Sequence, residues 1–131
     1  MISSAEEFKA LRESEVPEEC NRAAHDEAAS GVWEEVLKRY PDLAFWVVQN
    51  KTVPIAMLDV LASHRDPNVR CMVARKRKLP GTVMERLAED PDESVKLAIA
   101  RNPKVPRYIL ERLSSDPWQE VRKVAHEKLA L

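Results

Sequence analysis

The sequence predicts an all-α chain built from tandem repeats, and three observations carry that expectation. Residues 54–131 divide without a gap into three 26-residue units, beginning at Pro54, Pro80 and Pro106. Each unit holds two stretches with apolar residues at helical spacing, separated by a short polar turn. The composition suits helices: 131 residues include only two glycines, and the nine prolines belong at helix starts or in turns.

The repeat rests on independent columns. Leu58, Met84 and Leu110 share one column, where Met fills a Leu-sized space at little cost. Leu61, Leu87 and Leu113 share a second, and Val69, Val95 and Val121 a third. Agreement of three columns at one period marks a repeat architecture. The bases Arg70, Lys96 and Arg122 follow the valine column directly.

Within a unit, the leading proline suits the first helical position, where no N–H is needed. The first helix then carries Val83, Met84 and Leu87, or Ile109, Leu110 and Leu113. Asp90-Pro91 and Asp116-Pro117 read as N-caps followed by Pro just inside the second helix. Glu93 and Gln119 stand where a capping-box partner would. In the Pro54 unit the Asp66-Pro67 pair lies two residues later. The second helix is expected to bury Val95, Ala98 and Ile99, or Val121, Val124 and Ala125. Asn102-Pro103 ends it, with Asn suited to a left-handed C-terminal position. Helices of about ten residues are marginal alone, so each unit must bury its apolar stripe against the next.

Upstream, Asn50-Lys51-Thr52-Val53-Pro54 echoes Asn102-Pro103-Lys104-Val105-Pro106. Residues 31–53 therefore read as a degenerate unit. Val32, Trp33, Val36 and Leu37 form its first helix, capped by Ser30, and Leu43, Trp46 and Val47 belong to its second. In residues 1–30, Ser4-x-x-Glu7 is a capping box for a helix over about residues 4–13. Another helix runs from Pro17 to about Ala28. Eight acids against three bases in this segment fit a polar N-terminal helical cap over the stack. The whole is expected to be one helical-repeat domain, 1–131, with regular repeats at 54–79, 80–105 and 106–131.

The pattern Val95-Lys96-x-Ala98-Ile99-Ala100-Arg101-Asn102-Pro103-x-Val105-Pro106, then Leu110-x-x-Leu113-x-x-Asp116-Pro117, resembles the leucine-rich repeat variant motif. That family is bacterial and HEAT-like in style. The resemblance covers 54–131 well and 32–53 loosely. It implies a right-handed α-solenoid of short paired helices, some of them 3₁₀. Some members carry a cysteine-bound iron–sulfur cluster before the repeats. Only Cys20 lies in that region here, so no cluster is carried over. The Pro54 unit departs from the pattern with Lys76-Arg77-Lys78 where Asn-Pro-Lys stands later.

Chemistry is sparse. Cys20 and Cys71 make no disulfide framework or metal-ligand set. Cys20 and His25 lie five residues apart on one expected helix and point away from each other. His64 falls in a turn. His126 takes the column of Ala74 and Ala100 and reads as a packing variant. Gly31 and Gly81 cannot build a phosphate loop. No catalytic constellation assembles, and no cofactor or metal is expected. No signal peptide and no apolar run near the ~20 residues of a membrane span is evident. The expectation is a non-enzymatic, cytoplasmic protein.

The basic residues offer the best binding surface. Arg70, Lys96 and Arg122 recur at the starts of second helices, and Arg75 and Arg101 near their ends, where cations suit the helix dipole. Arg75-Lys76-Arg77-Lys78 is the densest positive run. Stacked repeats would align these columns into a ridge. The plainer alternative is a solvated face paired to neighbouring Asp and Glu. Trp118 stands in a column otherwise held by Asp66 and Asp92, which points to an exposed interface residue or to a terminal packing role. Tyr108 is a second aromatic of this kind. Together these residues predict binding of a protein partner, with nucleic-acid backbone binding the alternative, although interleaved stacking aromatics are absent. Leu129-Ala130-Leu131 lacks a polar cap, so the chain is expected to be a monomer or a weak homodimer through that end.

Overall fold

The computed structural model describes all 131 residues. They form ten α-helices and one 3₁₀ turn, with no strand beyond a single bridge between Ile2 and Ala28. The chain divides into two compact units, Met1–Leu61 and Ala62–Leu131. The division falls inside the first regular repeat.

In the first unit, α1 (Ala5–Glu13) starts where the Ser4 side chain accepts the Glu7 N–H at 3.0 Å. It buries Ala5, Phe8 and Leu11 and packs on α2 (Pro17–His25) and α3 (Val32–Arg39). Phe8 meets Trp33 edge-on at 5.1 Å. The Arg12 guanidinium lies 3.5 Å from the Trp46 ring centre, a cation–π contact. The helix α2 stops three residues before the expected Ala28. Its exit is pulled straight by Ile2, which donates to the Glu27 carbonyl and accepts from the Ala29 N–H.

Ser30 does not cap α3. The N-cap is Gly31, at φ 84, a left-handed turn that a side chain would disfavour. A 3₁₀ turn (Pro41–Leu43) leads into α4 (Ala44–Gln49), followed by α5 (Ile55–Leu61). Val47 and Val48 are fully buried there, whereas Trp46 is half-buried.

The second unit contains α6 (Pro67–Ala74), α7 (Gly81–Ala88), α8 (Glu93–Arg101), α9 (Arg107–Leu113) and α10 (Gln119–Leu129). Here α8 packs on α6 and on α7, and α10 packs on α8 and α9. The leucine and valine columns are its core: Leu87, Leu113, Val69, Val95 and Val121 are all buried.

Four expected helix starts shift by one or two residues. The leading prolines Pro80 and Pro106 are N-caps in extended backbone, one residue before the helix. Asp90 and Asp116 are not N-caps. The helix α8 begins two residues beyond the expected cap, and Asp92 caps it by accepting the Ser94 N–H at 2.8 Å. Asp66 holds the same repeat column and caps α6 through the Asn68 N–H. In that column Trp118 leaves α10 without a side-chain cap.

Asn102 is not left-handed either: its backbone is extended at φ −63, ψ 126. Its buried amide instead donates to the Ala74 and Lys76 carbonyls of the preceding second helix, at 2.8 and 2.9 Å. Its side-chain oxygen accepts the Lys104 N–H. In the first unit Asn50 repeats the device, donating to Ala23 and Asp26 carbonyls and accepting from the Thr52 N–H. The asparagine that ends α4 thus bonds back to α2 and the turn after it, as the one that ends α8 bonds back to α6 and the turn after it.

Candidate functional site: a basic groove across α6 and α8

The positive columns separate into two populations on the same helices. At the helix starts, Arg70 donates from Nε and Nη2 to both carboxylate oxygens of Asp90, at 2.8 and 3.2 Å. Lys96 donates to Asp116 at 2.8 Å. These four side chains are 6–14% exposed. Each pair links one repeat to the next, with the base reaching 20 residues forward. The same aspartates also order the turn before the next helix: Asp90 accepts the Asp92 N–H and Asp116 the Trp118 N–H. His64 fills that column in the Pro54 unit, accepting the Asp66 N–H at Nδ1. Arg70 and Lys96 are therefore committed to holding repeats together. Arg122 donates instead to the backbone carbonyls of Asp116 and Pro117.

At the helix ends the pattern reverses. Arg75 and Arg101 are exposed and make no salt bridge, and neither do Arg77 and Lys78 just beyond α6. Lys76 is half-buried, with its carbonyl held by Asn102. Arg75 and Arg101 rim a groove of about 510 Å³ across α6 and α8. Cys71, Leu97 and Ala98 form its apolar floor, and Ser94 lies on it nearer the start of α8. Cys71 and Leu97 occupy one repeat column, as do Arg75 and Arg101 one helical turn further on. Burial pushes the Cys71 thiol up from its ordinary value, and Asp92 and Asp90 push it the same way.

Charge is unevenly shared along the chain. Residues 62–131 carry fifteen Lys and Arg against ten Asp and Glu, and residues 1–61 carry six against twelve. The groove lies wholly in the basic unit.

The aromatic candidates stand outside the groove. Tyr108 is 46% exposed, and its hydroxyl donates to Glu85 at 2.5 Å, which raises its pKa. Trp118 is 44% exposed at the start of α10. The remaining polar candidates are engaged locally. The Cys20 thiol donates to the Ser14 carbonyl, the His25 ring to Asn21 O and the His126 ring to Ser114 O. No group of three His, Cys, Asp or Glu is placed to hold a metal ion. No helix is long and apolar enough to cross a membrane.

The groove itself was only half legible in the sequence. Its cations are legible as repeat columns. Its floor was not, because Cys71 and Leu97 differ chemically and share only a repeat position. Comparison with family models, with curated proteins and with solved structures finds no match to this chain.

Proposed function

We propose that this chain is a non-enzymatic protein-binding module whose groove across α6 and α8 receives an acidic segment of a partner protein. The helical pairs are read as rungs of a right-handed, HEAT-like stack of the leucine-rich repeat variant kind, with the exposed second-helix face as the binding face. One observation carries the reading. Of the bases on α6 and α8, those at the helix starts are largely shielded in ion pairs with buried aspartates, while Arg75 and Arg101 at the ends remain exposed and unpaired beside an apolar floor. Unpaired cations beside apolar surface complement a segment that carries carboxylates and small apolar side chains together.

Fluorescence anisotropy tests this with labelled acidic peptides containing Val or Leu, and with single-stranded and duplex DNA as the competing class. The expected result is peptide binding that weakens with salt and is lost in Arg75→Glu with Arg101→Glu. Binding of DNA in preference to every acidic peptide, or an unchanged peptide affinity in the double variant, would overturn the reading.

A further inference from the structure

The two cations and the two floor residues of the groove recur at the repeat period, and that recurrence constrains the shape of what binds. Arg75 and Arg101 hold one column on adjacent packed helices, and Cys71 and Leu97 hold another, one turn earlier. Adjacent packed helices lie about 8–10 Å apart. A chain crossing them must therefore present equivalent side chains at about that interval.

An extended β-strand repeats its face every two residues, about 6.6 Å, and its i,i+3 pair points to opposite faces. A polyproline-II segment has three residues per turn and rises about 3.1 Å per residue, so i and i+3 share a face about 9.3 Å apart. That interval matches the rungs. It also sets an adjacent residue toward the floor beside each carboxylate.

We propose that the groove recognises a polyproline-II segment with the triplet pattern acidic–apolar–any, its carboxylates three residues apart on Arg75 and Arg101 and its apolar side chains over Cys71 and Leu97. This inference rests on the reading of the groove as a site for an acidic protein segment.

The third rung shows where the segment ends. The helix α10 packs on α8 and continues both columns, but with the opposite chemistry. Glu127 stands in the arginine column and Lys123 in the apolar column, both exposed. A third carboxylate at i+6 would meet Glu127 and be repelled. The site accepts two acidic residues and no more on that side.

The experiment uses the full chain and peptides of identical composition, each with two Glu separated by two, three, four or seven positions. The i,i+3 peptide is expected to bind about two- to fivefold more tightly than the others, the difference of one exposed charge-assisted contact. A second arm uses Glu127→Arg, an exposed change that leaves the core intact. It is expected to raise affinity about fivefold more for a peptide with Glu at i, i+3 and i+6 than for the two-Glu peptide. Equal binding of all spacings, or an equal gain for both peptides in Glu127→Arg, overturns the spacing rule while leaving the groove as an acidic-segment site. A preference for the i,i+7 peptide overturns it in favour of a helical ligand. Failure of every acidic peptide to bind the unsubstituted chain removes the underlying reading as well.

Discussion

Replacing Asp90 with Ala tests whether the buried ion pairs hold the second unit together. The carboxylate receives two hydrogen bonds from Arg70 and one from the Asp92 N–H. Both side chains are largely out of water, at 14% and 7% exposure. Surface ion pairs contribute about 0–1 kcal/mol. Breaking a buried pair by removing one partner costs about 3–5 kcal/mol, because the other charge stays desolvated. Arg70 keeps its bond to the His64 carbonyl, at 2.7 Å, which places the loss at the lower end of that range, about 3 kcal/mol. Asp116→Ala should cost less, since Lys96 makes a single bond to it. Arg122→Ala should cost under about 1 kcal/mol, because that base has no carboxylate to abandon. Urea unfolding followed by far-ultraviolet circular dichroism reads all three as midpoint shifts at constant slope. The apolar pair Arg70→Met with Asp90→Leu should recover most of the loss. An Asp90→Ala loss below about 1 kcal/mol, or one no larger than that of Arg122→Ala, would refute the argument that these pairs are structural.

Asn102→Ala should destabilise by about 2–4 kcal/mol in the same assay, because it orphans the Ala74 and Lys76 carbonyls and the Lys104 N–H around a buried site; a loss under about 0.5 kcal/mol would remove that role. Trp118→Asp should stabilise the chain by about 0.5–2 kcal/mol, since Asp66 and Asp92 cap their helices from that column and Trp118 does not. A thermal midpoint that falls instead would mean that Trp118 packs where its exposure gives no sign of it. Cys71, in a Cys20→Ala background, should alkylate more slowly than a free thiol at pH 8, with a pH–rate midpoint above the ordinary 9.0. The sign follows from the raised value: the unfolded chain loses this proton first as pH rises, so stability falls above the ordinary thiol range. An alkylation rate equal to free cysteine at pH 8 would contradict the burial.

The helices were legible because their apolar columns repeat, and a period is a stronger signal than local propensity. What stayed hidden was the polar bonding between repeats. Asp90 and Asp116 precede prolines, and the local rule for Asp-Pro is a helix cap. That rule failed because a competing bond decides the matter: each carboxylate takes a base from the preceding repeat and the N–H two residues on. The cap duty then moves to the next acid, Asp92. Similarly, Asn102 reads locally as a left-handed terminator, yet its amide is drawn to carbonyls 26 and 28 residues earlier. Both failures concern side chains whose partners lie one repeat away. A local rule cannot see that distance, but the repeat can: Asn50 and Asn102 share a column, and the Arg70–Asp90 spacing recurs as Lys96–Asp116.

Helix geometry splits the expected basic ridge into two surfaces. A helix of eight or nine residues turns little more than twice, so positions five apart, such as Arg70 and Arg75, face different neighbours. The earlier position meets the following repeat and finds Asp90; the later one meets solvent and finds no acid. Charge alone does not distinguish them, since both columns are basic in the Pro54 and Pro80 units. The last repeat separates them. There the junction column keeps its base, Arg122, while the groove column changes sign to Glu127. A column that served only solubility could carry either sign at each rung. The positive charge of the groove column is confined to the two helices that share the apolar floor, Cys71 and Leu97, and it stops where that floor gives way to Lys123. Charge and floor end at the same unit, as the proposed bounded site requires.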